Sequence, residues 1–363
     1  MPAFCLSIHA RYQCRHAGKC CQNWTVPAEP AVVRLVEQRG LRRPGVDGPL
    51  FLASRKPDPA GAVDVARDNN GNCVFFEQDR GRLCLIHRDA GADALPSACR
   101  HFPRQFLLDA RGTFVSLSHF CPTAANLLHG REPLQVVDAA PPLLIAEPIE
   151  GLDARDALPP LLRPGVLCDM NGYTTWEREG VAVLAREDVT WAEALDHIAA
   201  ATDRLRAWTP EKGALAVCVG NAFQDESADA GPQTPRDQDL VAIVSQLAAG
   251  RAGGGPHPIA DFDRVWNDRV GRAFDRHDAA MKNFLAARLF ANWIAYQGRG
   301  LRSIVHWLRT AAALARHYTL QRVLDSRHEP GPGDFIEAIR TTDLLLLHVI
   351  DTQAFAHAVA PLA

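Results

Sequence analysis

Cysteines are the side chains of this sequence best suited to chemistry. The chain of 363 residues contains ten cysteines, and eight of them lie within the first 121 residues. Seven of these, several beside Gly, Pro or Arg, are too many for packing alone and are the candidate metal ligands: Cys14, Cys20, Cys21, Cys73, Cys84, Cys99 and Cys121. Thiolates are soft ligands for zinc and for iron–sulfur clusters, and four of them complete a closed site of either kind. Their spacing alone does not choose between zinc and iron.

Simple burial is the alternative explanation for a cysteine, because the thiol is among the most buried side chains. We expect this explanation to hold for Cys168 and Cys218, each of which has apolar neighbours. The adjacent Cys20 and Cys21 cannot point the same way on a regular strand. This pair therefore predicts an irregular loop, or ligation of two centres.

The bulk composition is that of a soluble globular protein. The chain has 39 basic and 42 acidic residues, a net charge of −3, and 47% hydrophobic residues. Near-neutral charge argues against nucleic-acid binding, and the hydrophobicity excludes a disordered chain. The first residues lack a signal-peptide pattern, and no apolar run approaches the ~20 residues that span a bilayer. We therefore expect a cytoplasmic protein without a membrane partner, in which cysteines indicate metal or redox chemistry rather than disulfides.

Short elements must position the N-terminal cysteines. The sequence predicts a helix over 31–39 and two hairpins, one from strands at 73–76 and 83–86 and one from strands at 105–108 and 113–117. Such small elements build a thin core, and a metal commonly supplies the missing stability. We therefore predict a small, metal-centred, cysteine-rich α+β region with short hairpins over residues 1–130.

The remaining residues, 131–363, are predicted to form a mainly helical domain, so the fold class of the whole chain is mainly α. Thr190 and Glu193 have the spacing of a capping box. The predicted buried face of the helix that follows carries Trp191, Leu195, Ile198 and Leu205. Longer helical stretches are predicted over 262–296, 301–324 and 334–355, and exposed loops over 224–238 and 250–258.

Charged side chains near the cysteines have two possible roles. Arginines near the candidate ligands can offset the negative charge of a thiolate cluster or hold a carboxylate, or they are surface residues: Arg88, Arg100 and Arg104. Histidines near the ligands are expected to hydrogen-bond around the site or to be exposed, rather than to bind metal: His87, His101 and His119. Histidines of the C-terminal helices are expected to be core residues: His306, His317, His348 and His357.

The sequence around the cysteines resembles a known family. Five segments carry the resemblance: YQC with GKCCQNW at 12–24, NCVF at 72–75, LCLIH at 83–87, CRHFPR at 99–104 and SHFCP at 118–122. They are similar to the cysteine-cluster family of zinc- or iron-chelating domains. The Trp after the Cys-Cys pair and the Pro-Arg and CPTAA segments most resemble its flagellin lysine-N-methylase branch. The resemblance covers about residues 12–128 and continues more faintly through 161–205, 283–290 and 339–348.

This resemblance implies a cofactor, a methyl donor and a substrate. The cofactor is an iron–sulfur cluster, in first place 4Fe–4S with zinc as the alternative, held by the seven cysteines named above. The donor is S-adenosylmethionine, and the acceptors are lysine side chains of a protein substrate such as flagellin. One departure is that residues 15–19 lack the additional cysteine that the family usually has there. Either His16 replaces that ligand or the site has one thiolate fewer.

Motifs that are absent narrow the choice of function. The sequence has no G-x-G-x-x-G after a strand, no P-loop, no H-E-x-x-H and no C-x3-C-x2-C run typical of radical enzymes that use S-adenosylmethionine. The donor site therefore cannot be located from motifs. The alternative to a protein-lysine methyltransferase is a non-catalytic zinc- or iron-chelating protein, either a structural metal site or a metal carrier.

Overall fold

A computed structural model describes residues 1–15, 17–18, 21–22, 25–54, 61–77, 83–145, 149, 151–225, 235–250 and 254–360. Within these residues the chain is mainly helical with small sheets, which confirms the predicted mainly α fold with some β structure.

The strands are short and belong to the first half of the chain. Their bounds are β1 Ala3–Leu6, β2 Pro27–Ala28, β3 Phe51–Leu52, β4 Val63–Val65, β5 Phe76–Glu77, β6 Leu83–Cys84, β7 Arg104–Asp109, β8 Gly112–Leu117, β9 Val136–Asp138, β10 Gly151–Asp153, β11 Leu161–Arg163 and β12 Val166–Leu167.

The helices dominate the second half. Their bounds are α1 Pro30–Gln38, α2 Leu85–Ala90, α3 Ser97–His101, α4 Pro122–Leu127, α5 Met170–Ala185, α6 Trp191–Leu205, α7 Leu215–Gln224, α8 Asp237–Ala248, α9 Phe262–Arg269, α10 Gly271–Phe274, α11 Asp278–Leu289, α12 Ile294–Gln297, α13 Leu301–Ser326, α14 Pro332–Leu344 and α15 Thr352–Val359. A π-helical turn, Leu345–Val349, extends α14.

A five-stranded sheet in the order β10-β7-β8-β1-β9 contains the predicted hairpin of residues 105–117. Strands β7 and β8 pair antiparallel, with Gln105 opposite Ser116 and Asp109 opposite Gly112. Gly112 has a φ of +147°, and a Cβ there would lie 2.6 Å from the carbonyl oxygen of Pro2. Glycine is therefore required where β1 approaches the hairpin. The division into 1–130 and 131–363 remains a prediction, and β9 and β10, both after residue 130, pair with β1 and β7.

Most of the cysteine-rich region packs on a small hydrophobic core. The predicted helix at 31–39 is confirmed as Pro30–Gln38, which has Pro at its first position and buries Val32 and Val36 one turn apart. The hairpin predicted from strands at 73–76 and 83–86 is found only as the short pair β5 and β6, because residues 74–75 form a turn before β5 and residue 85 already begins helix α2. The connection at 78–82 lies outside the described residues. Cys73, Cys84 and Cys99 pack against this core.

The helices from α5 onward pack around the long, largely buried helix α13. The predicted capping box is confirmed, because the Thr190 hydroxyl accepts from Glu193 N–H and the Glu193 carboxylate accepts from Thr190 N–H. Leu195, Ile198 and Leu205 are buried as predicted, whereas Trp191 is only partly buried at the start of the helix. We refer to α5–α15 as the helical body.

Two of the long predicted helices are interrupted. The stretch 262–296 is broken at Val270, at a 3₁₀ turn over Asp275–His277 and near Ala291. Ala291 has a positive φ of 55° and donates its N–H to the Glu177 carboxylate at 3.0 Å. The stretch 334–355 ends in the π turn, and a new helix begins where the Asp351 carboxylate accepts from Ala354 N–H at 2.9 Å. Side-chain acceptors thus bind the backbone at two of the breaks, which the apolar periodicity alone does not predict.

The two predicted loops are described in part. Residues 226–234 and 251–253 lie outside the described residues, and helix α8 begins at Asp237, inside the first predicted loop. No helix in the described ranges has the length and apolar character needed to cross a membrane.

Candidate metal centre and its contacts with the helical body

Three of the seven predicted ligands interact with Arg67, and a fourth interacts with one of these three. The guanidinium of Arg67 interacts electrostatically with the thiols of Cys73, Cys21 and Cys99, and the Cys73 thiol interacts in turn with that of Cys84. We call these four cysteines with Arg67 the Arg67 cluster. Cys20 and His16 lie outside the described residues.

Backbone pairing places two of these cysteines. Cys73 lies opposite Arg67 in an isolated bridge, and its N–H donates to the carbonyl oxygen of Cys21 at 2.8 Å. Arg67 Nη1 donates to that same Cys21 carbonyl at 3.1 Å. The segments that carry Cys21 and Cys73 are therefore fixed to each other and to Arg67.

Cys84 and Cys99 come from neighbouring short elements. Cys84 ends β6, opposite Phe76 of β5. Cys99 lies in α3, where the Glu29 carboxylate accepts from Ser97 N–H at 3.1 Å and so binds the first turn to the segment before α1. The segments that carry Cys73, Cys84 and Cys99 thus reach one small core.

Burial and charge act in opposite directions within the Arg67 cluster. Burial raises the pKa of the Cys73 thiol to about 12, the negative charge of Cys84 adds to that effect, and the cations of Arg67 and Arg43 oppose it. Burial also lowers the pKa of Arg67, and the negative charges of the nearby thiolates oppose this effect. A cation bound among these sulfurs would favour their thiolate forms far more strongly than one arginine does.

The other two described candidate ligands, Cys14 and Cys121, lie in a second group with Tyr12 and Arg104. The Tyr12 hydroxyl and Cys121 Sγ are 3.7 Å apart, and the Arg104 guanidinium lies 5.6 Å from the centre of the Tyr12 ring. Arg104 interacts electrostatically with both thiols. Cys14 is exposed and Cys121 is buried against a different small core from that of the Arg67 cluster. We call these four residues the Tyr12 cluster.

The donors of the Arg67 cluster have the chemical type that a metal centre needs. Thiols beside an arginine match the soft, charge-compensated ligands of zinc or iron–sulfur sites. In the part of the chain that the structure describes, however, no three cysteine, histidine or acidic side chains lie close enough to share one ion. The metal-centred part of the predicted fold therefore remains a proposal.

A buried polar chain that the sequence did not predict lies beside Cys121. His9 Nε2 and His119 Nε2 are 3.1 Å apart, and His119 Nδ1 lies 3.0 Å from Asp343 Oδ2. Arg288 Nη1 is 3.7 Å from the other Asp343 oxygen. Burial raises the pKa of Asp343, but Arg288 and His119 oppose this strongly enough to hold it below its usual value.

The same helical residues hold the segment that ends in Cys121. Arg288 Nη2 donates to Leu117 O at 2.6 Å, His119 N–H donates to Asp343 Oδ2 at 2.5 Å, and Arg340 Nε donates to Phe120 O at 3.0 Å. Ser118 Oγ and His348 Nε2 are also hydrogen-bonded at 2.9 Å. Residues 117–120 are thus attached to α11, α14 and the π turn. The only hint in the sequence is an acidic residue, Asp343, just before an apolar run.

The remaining residues that the sequence singled out have ordinary structural contacts. Arg88 is partly exposed and pairs with Glu77 and Asp89, and His101 is buried with its Nδ1 2.9 Å from the carbonyl oxygen of Ser97. Cys168 is buried, as expected for a packing thiol. Cys218 is only partly buried, which corrects the expectation of full burial, because it lies on a helix face where its Sγ donates to Lys212 O at 3.6 Å.

Similarity to known proteins covers only part of the chain. A family model named CxxCxxCC, described as "Putative zinc- or iron-chelating domain", matches residues 13–122. The flagellar biosynthetic protein FliU of Salmonella muenchen is 26% identical over 109 residues, which are 30% of this chain and 63% of that protein. The match thus spans less than two thirds of that relative's length. No solved structure matches. The range that this family model matches contains all seven predicted cysteine ligands.

Proposed function

We propose that residues 13–122 hold a thiolate-ligated metal centre and that the chain is a cytoplasmic methyltransferase. It would transfer methyl groups from S-adenosylmethionine to lysine side chains of a protein, with flagellin as the candidate substrate. The observation that carries the proposal is the electrostatic interaction of one arginine with Cys21, Cys73 and Cys99, all within the residues that a zinc- or iron-chelating family model matches.

The metal would be held by the four cysteines of the Arg67 cluster, together with Cys20, which precedes Cys21 in the sequence. Four thiolates complete either a zinc site or an iron–sulfur cluster. We favour iron–sulfur, because seven candidate thiols exceed the four of one structural zinc site. When bound, the metal would supply folding free energy to a small core and positive charge at the sulfurs. Arg67 would offset the remaining negative charge.

The Tyr12 cluster would form a second location. Cys14 and Cys121 have electrostatic partners of their own, Tyr12 and Arg104, and Cys121 packs against a different core. This division agrees with the two-centre alternative that the adjacent Cys20 and Cys21 left open. We therefore assign Cys14 and Cys121 to a site separate from the one that Arg67 faces.

Support for methyl transfer comes from the resemblance to flagellin lysine-N-methylases and from the flagellar relative. In the reaction the lysine nitrogen forms a bond to the methyl carbon, the bond from that carbon to the sulfonium sulfur breaks, and the amine gives up a proton. The nucleophile must be the neutral amine, whereas a lysine in water has a pKa near ~10.4. The substrate site must therefore desolvate the amine or supply a base.

The metal proposal is tested on protein purified without oxygen. We expect iron and sulfide in the protein and absorption near ~400 nm from thiolate-bound iron. Replacing Cys73 or Cys84 with serine is expected to remove the metal and to lower the melting temperature, because metal binding here contributes to folding. The matched control, Cys218→Ser, should keep the metal. Loss of metal in the control but not in Cys73→Ser would contradict the ligand assignment.

Methyl transfer is tested by a separate measurement of lysine methylation. Wild-type protein, S-adenosylmethionine and flagellin are incubated together, and methylated lysines are counted by mass spectrometry. We expect methyl groups on flagellin with wild-type protein and none with Cys73→Ser. Stoichiometric zinc, no colour and no methylated lysine would instead establish the alternative function, a non-catalytic metal-chelating protein.

A further inference from the structure

Helices α8, α9 and α13 and the segment before α9 line a cavity of about 970 Å³ in the helical body. This volume lies at the upper end of the roughly 300–1,000 Å³ that is typical of ligand pockets. Apolar side chains form part of its wall, among them Val241, Ile259 and Ala313. The cavity therefore has room for a long aliphatic side chain together with the backbone that carries it.

The charged side chains that line the cavity include one more carboxylate than guanidinium groups. Three pairs form in the wall: Arg236 with Asp239 at 3.0 Å, Arg264 with Asp261 at 3.3 Å, and Arg316 with Asp237. The remaining carboxylate is that of Asp263, which is 83% exposed and pairs, among the described residues, only with Arg316 at 3.8 Å. Asp263 is therefore the carboxylate best able to attract a positively charged group of a ligand.

Arg316 is engaged within the protein rather than available to an anion. Its Nη1 donates to the Asp237 carboxylate. Its guanidinium lies 5.3 Å from the centre of the Phe262 ring and 4.7 Å from the centre of the Trp266 ring. Because the other two arginines of the wall are paired as well, the described lining offers an anion no unpaired cation. The cavity thus favours a cationic ligand over an anionic one.

His317 adds a hydrogen-bond acceptor to the wall of the cavity. Its ring donates a hydrogen bond to the backbone of His257, and burial lowers its pKa to about 4, so the ring is neutral near pH 7. The nitrogen of a neutral imidazole that carries no proton is an acceptor. Here that nitrogen is Nε2, which has no partner in the part of the chain that the structure describes. An N–H group of a ligand would satisfy it.

We propose that this cavity binds a lysine side chain of a protein, with the alkyl chain along the apolar wall and the ammonium group at Asp263, where His317 supplies a second acceptor. Lysine has both parts, an aliphatic stem and a head with three N–H donors. An exposed carboxylate favours the charged amine, which cannot accept a methyl group. The cavity is thus a recognition site that holds one lysine of the substrate while another reacts elsewhere. This inference rests on the proposed function, because a protein with accessible lysines is the substrate proposed there.

The experiment measures the binding of a labelled peptide to the full-length, metal-loaded protein by fluorescence anisotropy. The peptide is short and has one lysine as its only charged residue. A second peptide has norleucine at that position, which keeps the alkyl chain but lacks the ammonium group. We expect the lysine peptide to bind at least about threefold more tightly than the norleucine peptide, the contribution of one exposed ion pair. This difference should shrink at high salt, because exposed charges are screened.

Three variants test the location of the site. Asp263→Asn and His317→Phe should each weaken binding of the lysine peptide by at least about threefold and leave binding of the norleucine peptide unchanged. Ala242→Trp, at an exposed position of α8 that lines the cavity, should block both peptides by filling the space. Asp325→Asn removes an exposed carboxylate of α13 outside the cavity lining, so it is the matched control and should bind as wild type. Thermal unfolding of each variant shows whether the fold is retained.

The outcomes separate this inference from the proposed function. If Asp263→Asn and Ala242→Trp bind the lysine peptide as tightly as wild type, the cavity assignment is overturned, whereas methylation of flagellin is unaffected. If both variants lose binding but wild-type protein does not methylate flagellin, the cavity assignment stands and the proposed function fails. Cadaverine, a free diamine of similar length, should compete only weakly. If it binds the cavity more tightly than the lysine peptide, a protein side chain is overturned as the ligand.

Discussion

Two buried histidines of the helical body are held in their neutral form. His277 stacks on Phe335 with ring centres 4.7 Å apart, and His317 stacks on Phe262. Burial lowers the pKa of each histidine to about 4, and nearby cationic groups add to the effect for His277. In the unfolded chain the pKa of histidine is ~6.5. The unfolded state therefore binds protons first as the pH falls from 6.5 towards 4, and this lowers the free energy of unfolding.

The pH dependence of stability follows at the same scale. Between pH 7 and pH 5 we expect each of these histidines to remove up to about 2 kcal/mol from the free energy of unfolding. His317→Phe keeps an aromatic ring in the stack and should reduce the loss measured by urea unfolding at the two pH values. Substitution of the exposed His328 with glutamine serves as the control. An unchanged difference between pH 7 and pH 5 in His317→Phe would contradict the assignment.

The β7–β8 hairpin is attached to the helical body at its turn. Arg111 donates to Asp109 at 2.8 Å and to Glu177 of α5 at 2.8 Å, and its guanidinium lies 4.3 Å from the centre of the Phe114 ring. The Tyr296 hydroxyl also donates to Asp109, at 2.7 Å. All of these charges are largely buried. The hairpin that carries Arg104 and Gln105 is thus anchored at its far end.

Removal of this anchor should be costly. Arg111→Met leaves the carboxylates of Asp109 and Glu177 buried without their cation, and such a loss destabilises a protein by about 3–5 kcal/mol. Arg155→Met, which breaks an exposed pair with Asp153, is the matched control and should have a far smaller effect. Thermal unfolding of the two variants compares them directly. Equal melting temperatures would show that the Arg111 contacts do not stabilise the fold.

Across the whole molecule, the cysteine-rich region and the helical body share a charged interface. Arg288, Arg340 and Asp343 hold the backbone of residues 117–120, immediately before Cys121. The position of Cys121 therefore depends on helices more than 160 residues later in the chain.

Hydrogen exchange can test this dependence. Asp343→Asn removes the charge that faces Arg288 and His119, so we expect faster amide exchange at residues 117–121 and a loss of about 3–5 kcal/mol in unfolding free energy. Exchange in the core beneath the Arg67 cluster, around Val32 and Val36, should change little. Asp188→Asn on the surface provides the control. Uniform acceleration over the whole chain would indicate global destabilisation rather than a local attachment.

The sequence alone determined those features that depend on neighbours along the chain. The capping box at Thr190, the hairpin at 105–117 and the helix Pro30–Gln38 follow from short-range patterns of polarity and turn residues. The cysteines and the segments around them predicted the similarity that the zinc- or iron-chelating family model shows over residues 13–122. Local chemistry and local periodicity carry this information, because they depend only on residues that are close together in the sequence.

Only the tertiary structure decided which of these residues meet. The division of the cysteines between Arg67 and Tyr12, and the chain from His9 through His119 to Asp343, join residues that no local pattern relates. The break near Ala291 also depends on a distant acceptor, Glu177. Apolar periodicity indicates which face of a helix or strand is buried. It does not indicate which polar side chain of another element will contact that face, because the packing of the whole chain determines that contact.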